Sequence, residues 1–465
     1  MCGIFAYVGT RNGIRLALDC LKKMEYRGYD SAGLAYIADG NLITHKAVGK
    51  LGNLEKMIDD QTAQCVIAHT RWATHGKVTT ENAHPILDAT QSVAVIHNGV
   101  IENFQQLRHE LEREGITFRT ETDTEVIANL IAILYKGDLL QAVQEMVPLI
   151  KGAWAIAVIH KTHPDECIVA KNSSPLVIGI GVGETFAASE PNALIHHTRE
   201  VIYLSEGELA RIKANSVELF DEARLPITKQ TEQLKHSAEE MSKGDFAHYT
   251  LKEIYDQPQA VRNAMLSRFF EDYGTVAMDE ISISAAALLA VKRVVIVACG
   301  TSLHAGLVAG YMLEEIARIP TSVEISSEFR YRNPIVEDGT LVLAISQSGE
   351  TADTLAAVRE LKAKGATIIA ICNVQGSTLT RDADSTLFLR AGTEVGVCST
   401  KAFTSQLTVL TLFTIMMARL RHMSKAEGQE FLAALKGASR KTFATQKKSS
   451  RAGTEFLGTR CVGKN

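Results

Sequence analysis

Cys2, Asn98, Gly99, Arg71 and Asp123 are the residue types in this chain from which an acyl-transfer site could be built. Removing the initiator methionine from Met1-Cys2-Gly3-Ile4 would leave an α-amine and a thiol on one residue. A free α-amine, with a reference pKa of roughly 7.7–8.0, accepts the thiol's proton near neutral pH without a histidine. Attack of that thiolate on a carboxamide develops a tetrahedral oxyanion, which needs donors fixed where the charge appears. His97-Asn98-Gly99 follows the apolar run Val93-Ala94-Val95-Ile96, so the Asn98 amide and the Gly99 N–H leave a strand end toward a common pocket. Arg71, in Arg71-Trp72-Ala73-Thr74-His75-Gly76, offers a forked cation for a carboxylate, and Asp123 offers an anion for an ammonium. Taken singly, each has a plainer role: Cys2 follows a start codon, Arg71 and Asp123 form surface ion pairs, and His69, His84 and His97 are satisfied core histidines.

A second set of candidates carries hydroxyls. Gly300-Thr301-Ser302 and Ser346-Gln347-Ser348-Gly349-Glu350-Thr351 each follow an apolar run and precede a helical pattern. A loop entering a helix N-terminus exposes unpaired N–H groups, and hydroxyls placed there add donors for a phosphate. Either segment alone reads as ordinary capping. Two in successive units predict a phosphosugar cradle. Gly179-Ile180-Gly181-Val182-Gly183 has neither the spacing nor the following helix of a dinucleotide signature, and reads as a turn between strands.

The elements that must position the first set are short β-type runs at Ile4-Phe5-Ala6-Tyr7-Val8, Cys65-Val66-Ile67-Ala68, Val93-Ala94-Val95-Ile96, Trp154-Ala155-Ile156-Ala157-Val158-Ile159 and Glu208-Leu209-Ala210-Arg211-Ile212. Helical stretches fall at 103–113 and 124–135, the second opened by a capping signal at Thr122 and Glu125. Strands and helices without a βαβ rhythm predict an α+β domain. Residues 214–245 are polar and charged and read as a linker. From Val291 the order becomes strand, turn, helix, repeated, which predicts a parallel sheet flanked by helices. Leu407 to Met417 reads as a core helix, too short and too polar to span a bilayer.

At 465 residues, 46% hydrophobic and 22% charged, the chain has material for two or three domains. A net charge of -4, with no basic stripe, argues against nucleic acid as partner. Eight cysteines without Cys-x-x-Cys pairs or metal-ligand spacing read as reduced thiols of a cytoplasmic protein that binds no metal. No basic stretch followed by an apolar one marks a signal peptide.

Six segments, Cys2-Gly3-Ile4, Glu25-Tyr26-Arg27-Gly28-Tyr29-Asp30-Ser31-Ala32-Gly33, Ala68-His69-Thr70-Arg71-Trp72-Ala73-Thr74-His75-Gly76, Asn82-Ala83-His84-Pro85, His97-Asn98-Gly99 and Thr122-Asp123-Thr124-Glu125, resemble the glutaminase domain of N-terminal-nucleophile amidotransferases in that family's order. The form of the second segment is most similar to the glutamine-fructose-6-phosphate aminotransferases. The resemblance implies Cys2 as nucleophile, Asn98 and Gly99 as oxyanion hole, and Arg71, Thr74, His75 and Asp123 as holders of glutamine. It matches Trp72 to a tryptophan that gates ammonia passage and Arg27 to an arginine near the nucleophile. In the second half, Ala298-Cys299-Gly300-Thr301-Ser302, Ser327-Glu328-Phe329-Arg330-Tyr331-Arg332, the run from Ile345 to Thr354 and Val397-Cys398-Ser399-Thr400-Lys401-Ala402-Phe403-Thr404 resemble the first sugar isomerase (SIS) domain of the same family. On that match Ser302, Ser346, Gln347, Ser348 and Thr351 hold a sugar phosphate, while Thr301, Val397 and Ser399 touch the sugar.

The resemblance implies an αββα-layered α+β glutaminase domain over 2–213, a linker and entry segment over 214–284, and a three-layer α/β SIS domain over 285–425. It fades after about residue 440, and 441–465 reads as a remnant or frameshifted tail. The family continues into a second SIS domain carrying a proton-moving glutamate, a ring-opening histidine and a Schiff-base lysine. The expectation is therefore a cofactor-free enzyme of glutamine and fructose 6-phosphate, defective in its sugar half, or else an inactive or regulatory sugar-phosphate binder. A homo-oligomer and a complementing second-domain polypeptide both stay open.

Overall fold

Alternation along the first strand sets up the layers of the first half. In Gly3–Gly9, Ile4, Ala6 and Val8 enter one apolar cluster and Phe5 and Tyr7 enter another, because successive side chains of a strand point to opposite faces. The computed structural model describes residues 2–25, 28–59, 61–73, 75–234 and 243–437, divided between the units Met1–Glu239 and Glu240–Asn465.

The first unit stacks two antiparallel sheets. One runs Glu232–Gln233, Glu200–Tyr203, Val177–Gly181, Glu184–Ala188, Gly3–Gly9, Cys65–Arg71, Ser31–Ala38 and Asn41–Val48. The other runs Pro226–Ile227, Ser216–Phe220, Leu209–Lys213, Glu166–Asn172, Gly152–His160, Val93–Ile101 and Ile86–Leu87. Their inner faces share one cluster, with Ile4, Ile67, Ile96, Ala157 and Val169 among its members. Helices Gly13–Met24 and Leu51–Glu55 cover the outer face of the first sheet, and Phe104–Arg113, Thr124–Leu134 and Leu139–Met146 that of the second. This is the αββα order of layers.

The second unit carries a five-stranded parallel sheet in the order Thr321–Ile325, Arg293–Ala298, Thr340–Ser346, Thr367–Cys372 and Ser385–Phe388. Helices Tyr249–Met265, Gly300–Glu315 and Lys401–Arg421 pack on one face, and Ala352–Ala363 with Thr378–Asp382 on the other.

Three expectations need correction. The segment read as a linker contributes three strands: Ser216–Phe220 pairs with Leu209–Lys213, Pro226–Ile227 with Ser216–Phe220, and Glu232–Gln233 with Glu200–Tyr203. Short strands at or next to a sheet edge, with an exposed face, need few apolar residues, so composition hid them. The capping signal at Thr122 and Glu125 does not close a capping box. The Glu125 carboxylate accepts from the backbone of Arg119 at 2.7 Å and Thr120 at 2.6 Å, tying down the preceding loop instead. The core helix is longer than expected: Lys401–Arg421 is long and apolar enough to cross a membrane by length and composition, yet most of it is buried among its neighbours. The glycine-rich Gly179–Gly183 stretch is the hairpin between Val177–Gly181 and Glu184–Ala188. The tail at 441–465 lies outside the described residues.

Candidate functional site

Residue 2 immediately precedes the strand Gly3–Gly9, which lies beside Cys65–Arg71 with Gly3 opposite Thr70. That register brings Cys2 to Trp72: the Trp72 backbone N–H donates to Cys2 Sγ at 3.1 Å. From the facing sheet, Asn98 reaches across, its Nδ2 donating to the Cys2 carbonyl at 3.1 Å. Gly99 follows with φ +126°, and a Cβ there would stand 2.0 Å from the Ala153 carbonyl oxygen, so the strand pairing itself demands glycine.

Arg71 and Asp123 are buried beside this group. The Arg71 guanidinium donates to the Lys77 carbonyl at 3.2 Å and to the His75 carbonyl, which bends the 75–77 loop around it. Burial pulls its pKa below the ordinary arginine value, opposed by the negative charge of Cys2, Asp123 and Asp30. Asp123, just ahead of the helix Thr124–Leu134, accepts from the Ile101 backbone at 2.8 Å through one oxygen. The Trp72 side chain is 45% exposed and meets Tyr29 edge-on, with ring centroids 5.6 Å apart. His75 meets Phe104 edge-on at 5.2 Å. Arg27 and Thr74 lie outside the described residues.

Behind these groups is a buried cluster that reading residues one by one takes as ordinary core. His69 Nε2 lies 3.0 Å from Asn98 Oδ1, and His84 Nε2 and His97 Nδ1 lie 2.8 and 3.0 Å from Thr124 Oγ1. Burial lowers all three imidazoles, His69 down to about 3. Asp30 was also missed as a participant: its carboxylate accepts from the Ala73 backbone at 2.9 Å, holding the turn after Arg71.

In the second unit, Ser302, Ser346, Gln347, Ser348, Thr351, Val397 and Ser399 line one cleft of about 200 Å³. Thr301, one residue from Ser302 in the first turn of Gly300–Glu315, is exposed and is not among the lining residues. Ser346 Oγ accepts from the Gly349 backbone at 3.0 Å and lies 3.4 Å from Thr351 Oγ1. Gly349 takes φ +69°, and a Cβ there would stand 2.0 Å from Ser377 Oγ, so the tight turn after Ser346 needs glycine. Buried Gln406 donates to Ser302 Oγ at 2.9 Å.

The lip of the cleft is tied by two carboxylates that motif reading passes over. Glu394, a lining residue, accepts from Ser399 Oγ at 2.9 Å and from the backbones of Thr400 at 2.8 Å and Ala402 at 3.1 Å. Glu253 accepts from Val395 at 2.6 Å and Gly396 at 2.9 Å. Glu394 stands well ahead of Lys401, where the helix starts, so no capping pattern marked it. Nothing in the sequence pointed from Glu253 to residue 395. The assembled cleft offers hydroxyl and amide donors suited to an anion and a polyol.

A family profile for the glutamine amidotransferase domain matches residues 69–196, and one for the SIS domain matches residues 287–416. The glutamine-fructose-6-phosphate aminotransferase (isomerizing) of Symbiobacterium thermophilum is 46% identical over 421 residues, covering 90% of this chain and 69% of that one. Its counterpart from Caldanaerobacter subterraneus subsp. tengcongensis is 43% identical over 439 residues, covering 94% and 72%. Among solved structures, the C-terminal domain of glucosamine-fructose-6-phosphate aminotransferase from Francisella tularensis is 42% identical over 43% of this chain and 56% of that one, with a TM-score of 0.41. On its identity to relatives over most of their length, the chain belongs to the glutamine-fructose-6-phosphate aminotransferase (isomerizing) family, a family of glutamine amidotransferases with an N-terminal glutaminase fold and a SIS domain.

Proposed function

We propose that this chain hydrolyses glutamine at Cys2 and holds fructose 6-phosphate in the 302–399 cleft, the two halves of glucosamine 6-phosphate synthesis. The observation that carries the first half is the contact of Asn98 Nδ2 with residue 2, beside the buried Arg71 and Asp123. In the reaction, the α-amine of a processed Cys2 takes the thiol proton and the thiolate attacks the glutamine carboxamide. Asn98 and Gly99 hold the oxyanion, ammonia departs, and water releases glutamate from the thioester. Arg71 and Asp123 hold the α-carboxylate and α-ammonium of glutamine, assisted by His75 and by Thr74 and Arg27, while Trp72 gates the passage of ammonia. Such a protein would work in the cytoplasm, where Cys2 stays reduced.

The sugar half is proposed to bind without completing its chemistry. The cleft-lining residues offer hydroxyls, an amide, a thiol and one carboxylate, and no lysine or histidine stands among those described. Ring opening and imine formation need an acid and an amine. The same observation leaves room for a second reading, an inactive or regulatory sugar-phosphate binder. Glutamate release from glutamine, measured on the wild type and on Cys2→Ala, separates the two. Steady turnover lost in the variant supports the enzyme, and a wild type with no turnover leaves the regulator.

A further inference from the structure

We propose that His69 is the positioning residue that sets the polarity of Asn98, turning its N–H edge, and not its oxygen, toward the oxyanion of the glutaminase reaction. The inference rests on the glutaminase reading above and adds a residue to it. A side-chain amide is nearly symmetric in shape, so the strand pairing that places Asn98 does not decide which of its two ends faces Cys2. The wrong end would present a lone pair to a developing negative charge and turn an oxyanion hole into an oxyanion repeller.

Two contacts decide the matter. The Cys2 carbonyl can only accept, so its partner at 3.1 Å is the Asn98 NH₂ group. Asn98 Oδ1 then faces His69 Nε2 at 3.0 Å, and that contact is a hydrogen bond only if Nε2 carries the proton. His69 is fully buried, and burial keeps its ring neutral at physiological pH. It therefore has one N–H, and the Asn98 oxygen fixes it on Nε2. A neutral Nε2–H imidazole rejects the flipped amide. The alternative pairing, a flipped amide against the Nδ1–H tautomer, would set the lone pairs of Asn98 Oδ1 and of the Cys2 carbonyl face to face, so the Cys2 carbonyl and the His69 N–H together leave one arrangement. When the substrate oxyanion replaces the Cys2 carbonyl as acceptor, the amide already points correctly and needs no reorientation.

The backbone supports the arrangement from both sides. His69 lies in Cys65–Arg71, between the strands of Cys2 and Ser31, while Asn98 lies in Val93–Ile101 of the opposite sheet. The bond thus joins the two sheets of the sandwich beside the nucleophile.

The first test does not depend on turnover. Long-range ¹H–¹⁵N correlation of the histidine rings should report His69 as the neutral Nε2–H tautomer from about pH 5.5 to about pH 8.5; an Nδ1–H tautomer or a titrating ring overturns the proposal. The second test is kinetic. His69→Leu should lower kcat for glutamine hydrolysis by roughly 10- to 100-fold, less than the full loss of an oxyanion donor, with KM within about twofold. Alkylation of Cys2 by iodoacetamide, a displacement that forms no oxyanion, should keep its wild-type rate. His69→Gln, whose amide nitrogen falls near the Nε2 position, should recover most of kcat. In an Asn98→Ala background, His69→Leu should have no further effect. Unchanged kcat in His69→Leu, a parallel fall in alkylation, or full additivity with Asn98→Ala each overturns the proposal. A wild type without glutaminase activity would remove the proposed function and leave the tautomer measurement to stand on its own.

Discussion

In the first unit the groups around Cys2 come from two facing sheets and a helix start, whereas in the second most cleft groups come from two loops that follow neighbouring parallel strands. Around Cys2 the polar groups are buried and bonded to one another: Asn98 to His69, Arg71 to the carbonyls of the 75–77 loop, Asp123 to Ile101. In the cleft the hydroxyls stand at helix entrances, with one or two internal contacts each that leave further hydrogen-bonding capacity. On the proposed function, the difference teaches that the first site is preorganised for charge developing at one atom, while the second is arranged to receive a ligand's charge. Loss of a group should therefore fall mainly on rate in the first and on affinity in the second.

The largest effect should come from the nucleophile. Cys2→Ser, or a form retaining Met1, should lose glutaminase activity by on the order of 10³-fold or more, the first by weakening the nucleophile and the second by converting the base to an amide. Affinity for fructose 6-phosphate, read by calorimetry, should not change. Full activity in either form would remove Cys2 from its role.

Asp123→Asn should sharpen the same contrast within the first site. The amide oxygen can still accept from Ile101, so the fold is kept, but the charge facing the glutamine ammonium is lost. KM for glutamine should rise about 10- to 100-fold, corresponding to roughly 1.5–3 kcal/mol for a charged hydrogen bond. An unchanged KM would assign Asp123 to structure alone.

In the cleft, Ser348→Ala should weaken fructose 6-phosphate binding by about tenfold or somewhat more and leave glutamine hydrolysis untouched. Ser346→Ala should cost at least as much, because its hydroxyl also holds the turn at Gly349. Equal affinities for wild type and Ser348→Ala would show that the cleft does not hold the phosphate.

The last effect is on stability and is read in a different quantity. His69, at about 3, and His160, at about 4, are both held below the free-histidine value by burial, and His84 and His97 are lowered for the same reason. Their folded values lie below the unfolded value of about 6.5, so on acidification the unfolded chain takes up protons first. The destabilisation is absent well above that pH and grows below it by roughly 1.4 kcal/mol per pH unit for each histidine. Both tryptophans, Trp72 and Trp154, lie in the first unit, so tryptophan fluorescence reads that unit alone. Its urea midpoint should be lower at about pH 5.5 than at about pH 7.5; equal midpoints would contradict the neutral, buried assignment.

The same contrast explains what the sequence made legible. The loops at 300–302 and 346–351 were readable from strand, turn and helix order, while Val397 and Ser399 came only with the family motif; Thr301 stays a proposed sugar contact that the cleft does not include in its lining. The residues proposed for glutamine hydrolysis were named together through the order of family motifs, while individually Arg71 or His69 looked like any core or surface group. Long-range pairing decides their roles, and a sequence does not display it. That is why His69 beside Asn98, and Glu253 beneath Gly396, went unseen, and why polar strands at 216–233 passed for a linker.

The central claim is the proposal that Cys2 hydrolyses glutamine and that the 302–399 cleft, whose described lining holds no lysine or histidine, binds fructose 6-phosphate without carrying it on to an amino sugar. The most direct measurement is mass spectrometry of the purified 465-residue chain incubated with glutamine and fructose 6-phosphate and no second polypeptide. The account predicts glutamate and ammonia and no glucosamine 6-phosphate; formation of glucosamine 6-phosphate at a rate matching glutamate release would contradict it.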